Sequence, residues 1–493
     1  MRRMPAIGVV LTACVLLAIP SGRAAEAPAA PTETKTLADK PQPPADPNVL
    51  AVIGDYQISR DEVVRRYMEL IGPYDGLDVE RARALTVRDV VLELVAEKAM
   101  TLDARKAGAL NDEMIRTAMT DFRGRRLVNL LIGDYIQGKV SVTEEEVQAA
   151  MKANPRLDET AARVTLQSAK SRQVMDMYYQ QVYERVKVKK ITENFPKAAR
   201  IHMRLLLQPK IERAMQFVMV RQVQEELTQA EKDMVLATFE GGKFTLLDMF
   251  NALTNIAPPR RPEDLNTPEG IEQFVDQGLR LPVLVVEAEA KGYDKNPELL
   301  TQIKQQEDMR LLGKAKMDMY QAVAEPNDGQ IDAYFAAHKD EFRLGEKVKI
   351  DQIWLDTRAA ADAARTHIDA GKDFEQVKQR DSINKDSKPF DTYRSAEGIF
   401  GEPIFAADPN TVVGPIKGLF SGNSVKWRIV KVLDKDAGDP PTLDDQTRNR
   451  VKWKLWADRR LRAFDRVKAD LLSRYDYTLY EDRLAAIRPL DLP

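Results

Sequence analysis

Residues 348–355 alternate between two sets of positions, which is the two-residue period of a β-strand. The even positions hold Val, Ile, Gln and Trp, and the odd ones start with Lys349 and Asp351, so we expect an antiparallel strand with one buried face. A helix-forming run follows at 359–370 before a glycine, and 428–433 returns to the strand period. These patterns predict a small α+β module.

The rest of the chain carries an internal repeat with a mainly helical pattern. An apolar strand, a turn and a helix start occupy 49–59 and recur at 235–245. Each copy places a capping box at its helix start, at Ser59 and at Thr245, with an apolar pair beside it. Helix signals that recur in register predict two related helical units.

The two copies also continue in the same way. A second helix start at Thr143 in the first copy corresponds to one at Asn327 in the second. A helical stretch and then residues 186–195 finish the first copy, whereas a helix over 443–474 and then residues 475–484 finish the second. We expect each closing segment to return as a strand against the opening strand of its own copy, because apolar residues alternate within it.

The predicted fold class is mainly α with a small α+β module. Two related helical domains are expected, and the α+β module is inserted in the second of them. The expected parts are a signal peptide at 1–25, a disordered linker at 26–47, a first helical unit at 48–197, connecting helices at 198–233, a second helical unit at 234–344, the α+β module at 345–436, and a C-terminal helix and strand at 437–493 that complete the second unit.

Composition narrows the classes of function. The chain has 74 Lys plus Arg and 76 Asp plus Glu, for a formal net charge of -2, so nucleic acid is not an expected partner. Its 3 histidines and single Cys14 show no metal-ligand, disulfide or thiol pattern. Phosphate-binding loops and Ser/His/Asp patterns do not stand out. We therefore expect no cofactor and no metal ion, and we assign no catalytic residue.

The N-terminus has the pattern of a secretory signal, with a basic start, an apolar run at 6–20 and small residues after it. We expect an exported, periplasmic protein. Residues 11–14 also fit a bacterial lipobox in which Cys14 would be acylated, and membrane attachment is expected only in that case. The Pro-, Ala- and Thr-rich stretch at 26–47 predicts a disordered tether.

The α+β module resembles the parvulin class of prolyl isomerases. Residues 348–355 are similar to the first parvulin strand, V-R-A-R-H-I-L-V, with Gln352 where the family has its first histidine. Residues 404–416 are similar to A-F-A-L-x-P-G-E-V-S-G-P-V. Residues 427–432 are similar to Y-H-I-I-K-V, with Arg428 in place of the second histidine. Both family histidines are therefore replaced.

The resemblance also implies a peptide-binding pocket. Phe400 lies five residues before Phe405, where parvulins place a phenylalanine of the proline pocket. The expected pocket residues are Phe400, Phe405, Gln352, Trp354 and Arg428. Prolyl isomerisation is a rotation over a barrier of about 18–20 kcal/mol and needs no covalent chemistry. A site without the histidines can therefore keep some activity by desolvating the amide and holding the proline ring.

A repeated helical unit with a parvulin-like (PpiC-type) module inserted in its second copy resembles the SurA and PrsA class of exported folding factors, whose helical SurA-N-like part is the chaperone. The resemblance implies a chaperone that binds unfolded or extended polypeptides and has weak or no isomerase activity. One alternative is an active peptidyl-prolyl cis-trans isomerase that uses Gln352, Asp391 or Arg428. Another is a structural scaffold subunit of a cell-envelope assembly.

Methionines in the middle of the chain offer a physical basis for such binding, because an unbranched and polarisable side chain adapts to many apolar partners. Packing in helix cores is the competing interpretation. The residues concerned are Met175, Met177, Met203, Met215, Met219, Met234, Met249, Met309, Met317 and Met319.

Overall fold

The computed structural model describes residues 45–72, 79–210, 217–343, 345–421 and 424–491. The expected signal peptide, Cys14, Met215 and most of the expected linker lie outside the described residues. Within the described ranges, no helix is both long and apolar enough to cross a membrane.

The chain alternates short strands with long helices. The first copy of the repeat contains β1 (Val49–Ile53), β2 (Tyr56–Ser59), α1 (Arg60–Ile71), α2 (Val79–Ala84), α3 (Val87–Lys106), α4 (Glu113–Ile136), α5 (Glu144–Ala153), α6 (Glu159–Arg185) and β3 (Lys189–Lys190). The connecting segment contains α7 (Phe195–Leu207), α8 (Val220–Glu226) and α9 (Gln229–Lys232).

The second copy is longer because it contains the inserted module. It begins with β4 (Val235–Phe239), β5 (Gly242–Thr245), α10 (Leu246–Thr254), α11 (Pro268–Ala290), α12 (Pro297–Gln321) and α13 (Asp328–Ala337). The module contains β6 (Lys347–Leu355), α14 (Arg358–Asp369), α15 (Phe374–Asp381), β7 (Phe390–Thr392), α16 (Arg394–Glu397), α17 (Glu402–Ala406), β8 (Val412–Phe420) and β9 (Ser424–Asp436). The copy ends with α18 (Asp445–Arg474), β10 (Tyr477–Leu479) and α19 (Glu481–Ala485).

The helix starts that the sequence indicated are present in both copies. Ser59 caps α1 and accepts a hydrogen bond from the backbone amide of Glu62 at 3.2 Å. Thr143, Thr245 and Asn327 cap α5, α10 and α13 with complete capping boxes. Local chemistry therefore sets the same opening and the same second helix start in each copy.

The closing strands are exchanged between the two copies. Strand β10, from the end of the second copy, pairs antiparallel with β1 of the first. Strand β3, from the end of the first copy, pairs antiparallel with β4 of the second. Two backbone hydrogen bonds extend these pairings, from Tyr480 N to Leu50 O at 3.0 Å and from Ile191 N to Leu236 O at 2.9 Å. Each sheet thus combines both halves of the repeat.

The long helices follow the same exchange. Helix α6 packs on α11 of the second copy, and α18 packs on α3 of the first. The last residue of each closing helix makes an ion pair with the helix it covers: Arg185 with Glu287 at 2.6 Å, and Arg474 with Asp103 at 2.8 Å. A tyrosine hydroxyl donates to each of these two carboxylates, from Tyr178 to Glu287 and from Tyr475 to Asp103.

Two hydrophobic cores result. The first core surrounds β1 and includes Leu50, Ile53 and Val91 from the first copy with Leu471 and Leu484 from the second. The second core surrounds β4 and combines α4, α6 and α7 with β4, α10 and α11. Helices α4 and α12 pack on each other and cross between the two halves, α12 contributing to both cores. Neither core is made by one copy alone.

The expectation that each copy closes on itself is therefore wrong. Residues 475–484 lie against β1, not against β4, and 437–493 contribute to the first core instead of completing the second unit. The strands are also shorter than expected, since β3 covers Lys189–Lys190 and β10 covers Tyr477–Leu479. The alternation of apolar residues predicts that a closing segment pairs with the edge of a sheet. It does not identify the partner, because the two related opening strands offer equivalent edges.

The inserted module forms a four-stranded antiparallel sheet in the order β7-β6-β9-β8. Helices α14 and α15 cover one face, where Ile353, Leu355 and Ile429 pack. On the other face Val348 and Ile350 pack against the α17 segment. The sequence predicted one buried face for β6; the structure buries both, because this central strand has a helical segment on each side.

Candidate functional site

Three of the five predicted pocket residues lie together on the α17 face of the module sheet. Trp354 on β6 is directly opposite Arg428 on β9, and Gln352 is opposite Val430 two residues away. Because residues opposite each other in an antiparallel pair share a face, Gln352, Trp354 and Arg428 form one cluster. All three side chains are buried.

The cluster is centred on a buried ion pair. The Arg428 guanidinium donates to Glu397 and, at 3.2 Å, to the amide oxygen of Gln352. The side chains of Arg428 and Glu397 are 4% and 8% exposed. The second Glu397 carboxylate oxygen accepts a hydrogen bond of 2.6 Å from Thr392. The polar groups that replace the family histidines therefore bind one another.

Aromatic rings and a glycine pack around this pair. The guanidinium of Arg428 lies 5.1 Å from the ring centroid of Trp354, whose other neighbour is Phe420 at 5.2 Å in an edge-on contact. A Cβ at Gly418 would lie 2.4 Å from Arg428 Nε, so only glycine leaves room for the arginine here. The space around the Arg428–Glu397 pair is therefore filled by the protein's own groups.

The two phenylalanines lie in different surroundings. Phe405 is 2% exposed and packs in the module core with Ile404 and Val432. Phe400 is partly buried and packs, with Ile399, against the first helical core. Phe400 also lines a groove of about 460 Å³ beside the module. Phe400 therefore packs towards the first helical core and the groove, and Phe405 packs within the module.

Asp391, which one alternative placed in the site, lies elsewhere. It is opposite Lys349 in the β7–β6 pairing, on the sheet face away from Gln352. Its carboxylate contacts Lys347 at 2.7 Å. It therefore has a surface ion pair and no contact with the Arg428 cluster.

Glu397 is the site residue that sequence reasoning missed. A buried guanidinium requires a carboxylate or equivalent acceptors, so Arg428 on a central strand was a signal that such a partner exists. The choice among 76 acidic residues could not be made from spacing. Glu397 ends the four-residue helix α16, a segment without periodicity of its own.

The described residues contain no group of three or more His, Cys, Asp or Glu that could hold a metal ion. A second buried ion pair lies on the opposite face of the module sheet, where Lys378 contacts Asp351 at 3.0 Å and the carbonyl of Ser387 at 2.9 Å. Lys378 is fully enclosed, so this pair holds α15 on the sheet and has no route to a ligand.

The inserted module matches a known protein family. Residues 326–448 match the family model of the PPIC-type PPIase domain. A search of curated proteins finds no match. Similar solved structures include one of two SurA-like chaperones described from Campylobacter jejuni, at 14% identity over 48% of this chain and 97% of that one, with a TM-score of 0.25.

Two further similar structures are PrsA proteins. The foldase PrsA of Streptococcus pneumoniae is 15% identical over 49% of this chain and 92% of its own, with a TM-score of 0.24. The peptidylprolyl isomerase PrsA of Bacillus cereus is 15% identical over 52% and 96%, with a TM-score of 0.21. The match to the family model spans the motifs at 348–355, 404–416 and 427–432, so residues 326–448 form a PPIC-type parvulin domain, as those motifs indicated.

Proposed function

We propose that this protein is an exported chaperone that holds unfolded or extended polypeptides on its helical units, and that its parvulin domain has little or no isomerase activity. The observation that carries the proposal is the closed centre of that domain. Arg428, Glu397 and Gln352 are buried and bind one another. The remaining Arg428 nitrogen, Nε, is enclosed without a hydrogen-bond partner, so the polar groups of this cluster are turned to one another and not presented to a prolyl peptide bond.

Exposed apolar side chains on the long helices support binding by the helical units. Met309 and Met317 on α12 are 61% and 59% exposed, and Gly313 between them has open space around it. A spacing of four residues keeps all three on one helix face. Flexible, exposed methionines suit varied apolar clients.

The methionine group as a whole is divided between surface and core. Met249 and Met234 are buried in the second core, so packing explains them. Met177 and Met203 are exposed, like the pair on α12. The exposed members are the ones we assign to client binding.

Export is supported by the signal pattern at 1–25, and a periplasmic location is the form we propose. The alternative is an exported lipoprotein acylated at Cys14, and only in that form do we propose attachment to a membrane. No energy source enters the proposal, because a holding function needs only reversible burial of apolar surface.

The test is suppression of aggregation of a chemically unfolded client by stoichiometric amounts of the mature chain. Joint Met309→Gln and Met317→Gln should weaken holding several-fold, because both substitutions remove exposed apolar surface. Arg310→Gln, a neighbouring exposed change on the same helix, is the matched control and should leave holding unchanged. Equal suppression by all three proteins would contradict the assignment to α12.

A prolyl tetrapeptide assay tests the second half of the proposal. We expect turnover far below that of an ordinary parvulin, because the groups at the two histidine positions are buried and paired. Robust turnover would favour the alternative of an active isomerase.

A further inference from the structure

A row of aromatic and cationic side chains lies where α18 packs on α12. It continues the exposed α12 face that carries Met317, because Tyr320 is three residues further along the same helix. From Tyr320 the row passes to Arg460, Trp456 and Trp453 on α18. We call these five residues the α12–α18 strip.

The members of the strip are stacked in sequence. The Arg460 guanidinium carbon lies 5.5 Å from the ring centroid of Tyr320 and 3.7 Å from that of Trp456. The Trp456 and Trp453 ring centroids are 5.3 Å apart, with 31° between the ring planes. The Trp456 indole nitrogen donates to the carbonyl of Val323 at 3.2 Å, so the middle of the stack is held in a fixed orientation.

The stack ends at an exposed tryptophan. Trp453 is 59% exposed, and an indole ring that is open to solvent accepts a second aromatic ring or a cation. Helix α18 contains 10 Lys or Arg and 4 Asp or Glu. This excess of positive charge disfavours a cation beside Trp453. An aromatic ring is therefore the partner that the surroundings favour.

Arg460 lacks the carboxylate partner that other cations of this part of α18 have. Lys452 pairs with Glu325 at 2.6 Å, and Arg448 pairs with Asp332 at 2.8 Å. Within the ranges that the structure describes, no carboxylate lies within ion-pair distance of Arg460, and its Nε is enclosed without a hydrogen-bond partner. A guanidinium stacked between rings matches the planar shape of a carboxylate. Arg460 is thus a positive charge that suits an acidic group from outside the chain.

The spacing of the two positions fits an extended peptide. Arg460 and Trp453 are seven residues apart on α18, which is about 10 Å along the helix axis. In an extended chain, side chains at positions i and i+2 lie on the same side and about 7 Å apart. The lengths of a phenylalanine and a glutamate side chain cover the difference.

We infer that the α12–α18 strip selects, among the clients that the helical units hold, extended segments with an aromatic residue and an acidic residue two positions apart. The aromatic ring packs on Trp453, and the carboxylate binds Arg460. The inference rests on the proposed holding function and names the chemistry of the clients at the α18 end of that surface.

Peptide binding to the mature chain tests this selection. The probe is a dye-labelled peptide, G-S-F-S-E-S-G, and its affinity is measured by anisotropy beside the affinities of G-S-F-S-Q-S-G and G-S-A-S-E-S-G. We expect the first peptide to bind about five-fold tighter than either of the others, because only it offers both the ring and the charge.

Variants locate the two contacts. Arg460→Gln should abolish the preference for Glu over Gln, and Arg460→Lys should keep part of it. Trp453→Ala should abolish the preference for Phe over Ala. Arg462→Gln is the matched control, because it removes the same charge from an exposed position of α18 that is turned about 200° from Arg460. It should keep both preferences, and circular dichroism checks that every variant retains its helices.

Equal affinity for the three peptides, no binding of any of them, or the same loss in Arg462→Gln as in Arg460→Gln would overturn the inference. An anionic membrane is the competing partner, because tryptophan among cations also suits a lipid surface. Binding to vesicles of phosphatidylglycerol and phosphatidylcholine that weakens in both Arg460→Gln and Trp453→Ala, without a peptide preference, would assign the strip to a membrane and overturn it as well.

Suppression of client aggregation by the unmodified chain separates this inference from the holding function. A chain that holds clients but shows no peptide preference would refute the selection by the α12–α18 strip alone. A peptide preference in a chain that holds no client would support the strip as a binding site and refute the holding function.

Discussion

Shortening the side chain of Leu484, near the end of the chain, should destabilise the first core, which surrounds β1 near the beginning of the chain. Leu484 in α19 is 5% exposed and packs in the first core with Leu50 and Ile53. Leu→Ala in a packed core costs about 2–5 kcal/mol. Every 1.4 kcal/mol changes an equilibrium constant tenfold. Leu484→Ala should therefore raise the equilibrium constant for local opening of this core by roughly 30-fold or more.

Native-state hydrogen exchange resolves where the loss occurs. For Leu484→Ala we expect faster exchange of protected amides in residues 49–71, with a smaller change in 235–253. Leu205→Ala is the matched control, because Leu205 is fully buried in the second core. It should produce the reverse pattern. Removal of all residues after Arg474 should act on the same core as Leu484→Ala, and more strongly.

The exchange of closing segments is the reason for this expectation. If Leu484→Ala loosened 235–253 and left 49–71 protected, the pairing of β10 with β1 would not hold in solution. A chain whose copies closed on themselves would give that result.

Three further predictions concern buried charges. Arg428→Met should destabilise the parvulin domain by about 3–5 kcal/mol in urea unfolding, because Glu397 is left buried without a counter-charge; the double variant with Glu397→Gln should recover part of that loss, and no recovery would argue against the pair. Arg185→Met should lower the free energy of unfolding by about 1–3 kcal/mol, because its partner Glu287 is 4% exposed. Arg474→Met should lower it by less than about 1 kcal/mol, because its ion pair with Asp103 is more exposed. Equal losses in urea unfolding would contradict an effect of burial. Burial lowers the pKa of His202 below its ordinary 6.5, so the unfolded state takes up the proton first and stability should fall as the pH drops below about 6.5; His202→Leu should reduce this slope between pH 7.5 and 5.5 in thermal melts, and an unchanged slope would exclude His202 as its source.

Local signals in the sequence were reliable because they depend on neighbouring residues. The capping boxes at Thr143 and Thr245 and the glycine stop after α14 follow from backbone hydrogen bonding within a few residues. The parvulin motifs were similarly informative, since the strands that carry them lie side by side in one sheet.

Pairing between distant segments could not be read in the same way. Residues 186–195 and 475–484 were recognised as equivalent closing segments, but both opening strands accept them. The observed choice goes with the packing of α4 in the second core and with the course of α12, which contributes to both cores. That course is a property of the packed helices and has no separate signal in either closing segment.

The candidate site was predictable in part for the same reason. The resemblance grouped Gln352, Trp354 and Arg428, and the structure brings these three together because they lie on one face of the paired strands β6 and β9. Glu397 and the contacts of Phe400 come from irregular segments, where neither period nor spacing constrains the position of a side chain.

The place of insertion explains how a helical fold accepts the parvulin domain. In the first copy, α5 and α6 pack on each other and are joined by the short segment 154–158. In the second copy, α13 and α18 pack in the same way, with Phe335, Phe342 and Val451 between them. The two ends of the insertion are therefore held together by the helices that flank it.

Deletion of residues 348–433, with a short linker in their place, should consequently leave both helical cores folded and the holding function intact. The remaining cost is loss of the partly buried Ile399 and Phe400 from the first core, less than the ~1.5–3 kcal/mol of a fully buried side chain in each case. Circular dichroism and the aggregation assay measure the two expectations. Hydrogen exchange should show the loss near α1 and α2 and none in 235–253. A deleted chain that keeps its helices but no longer holds clients would move client binding from the helical units to the parvulin domain.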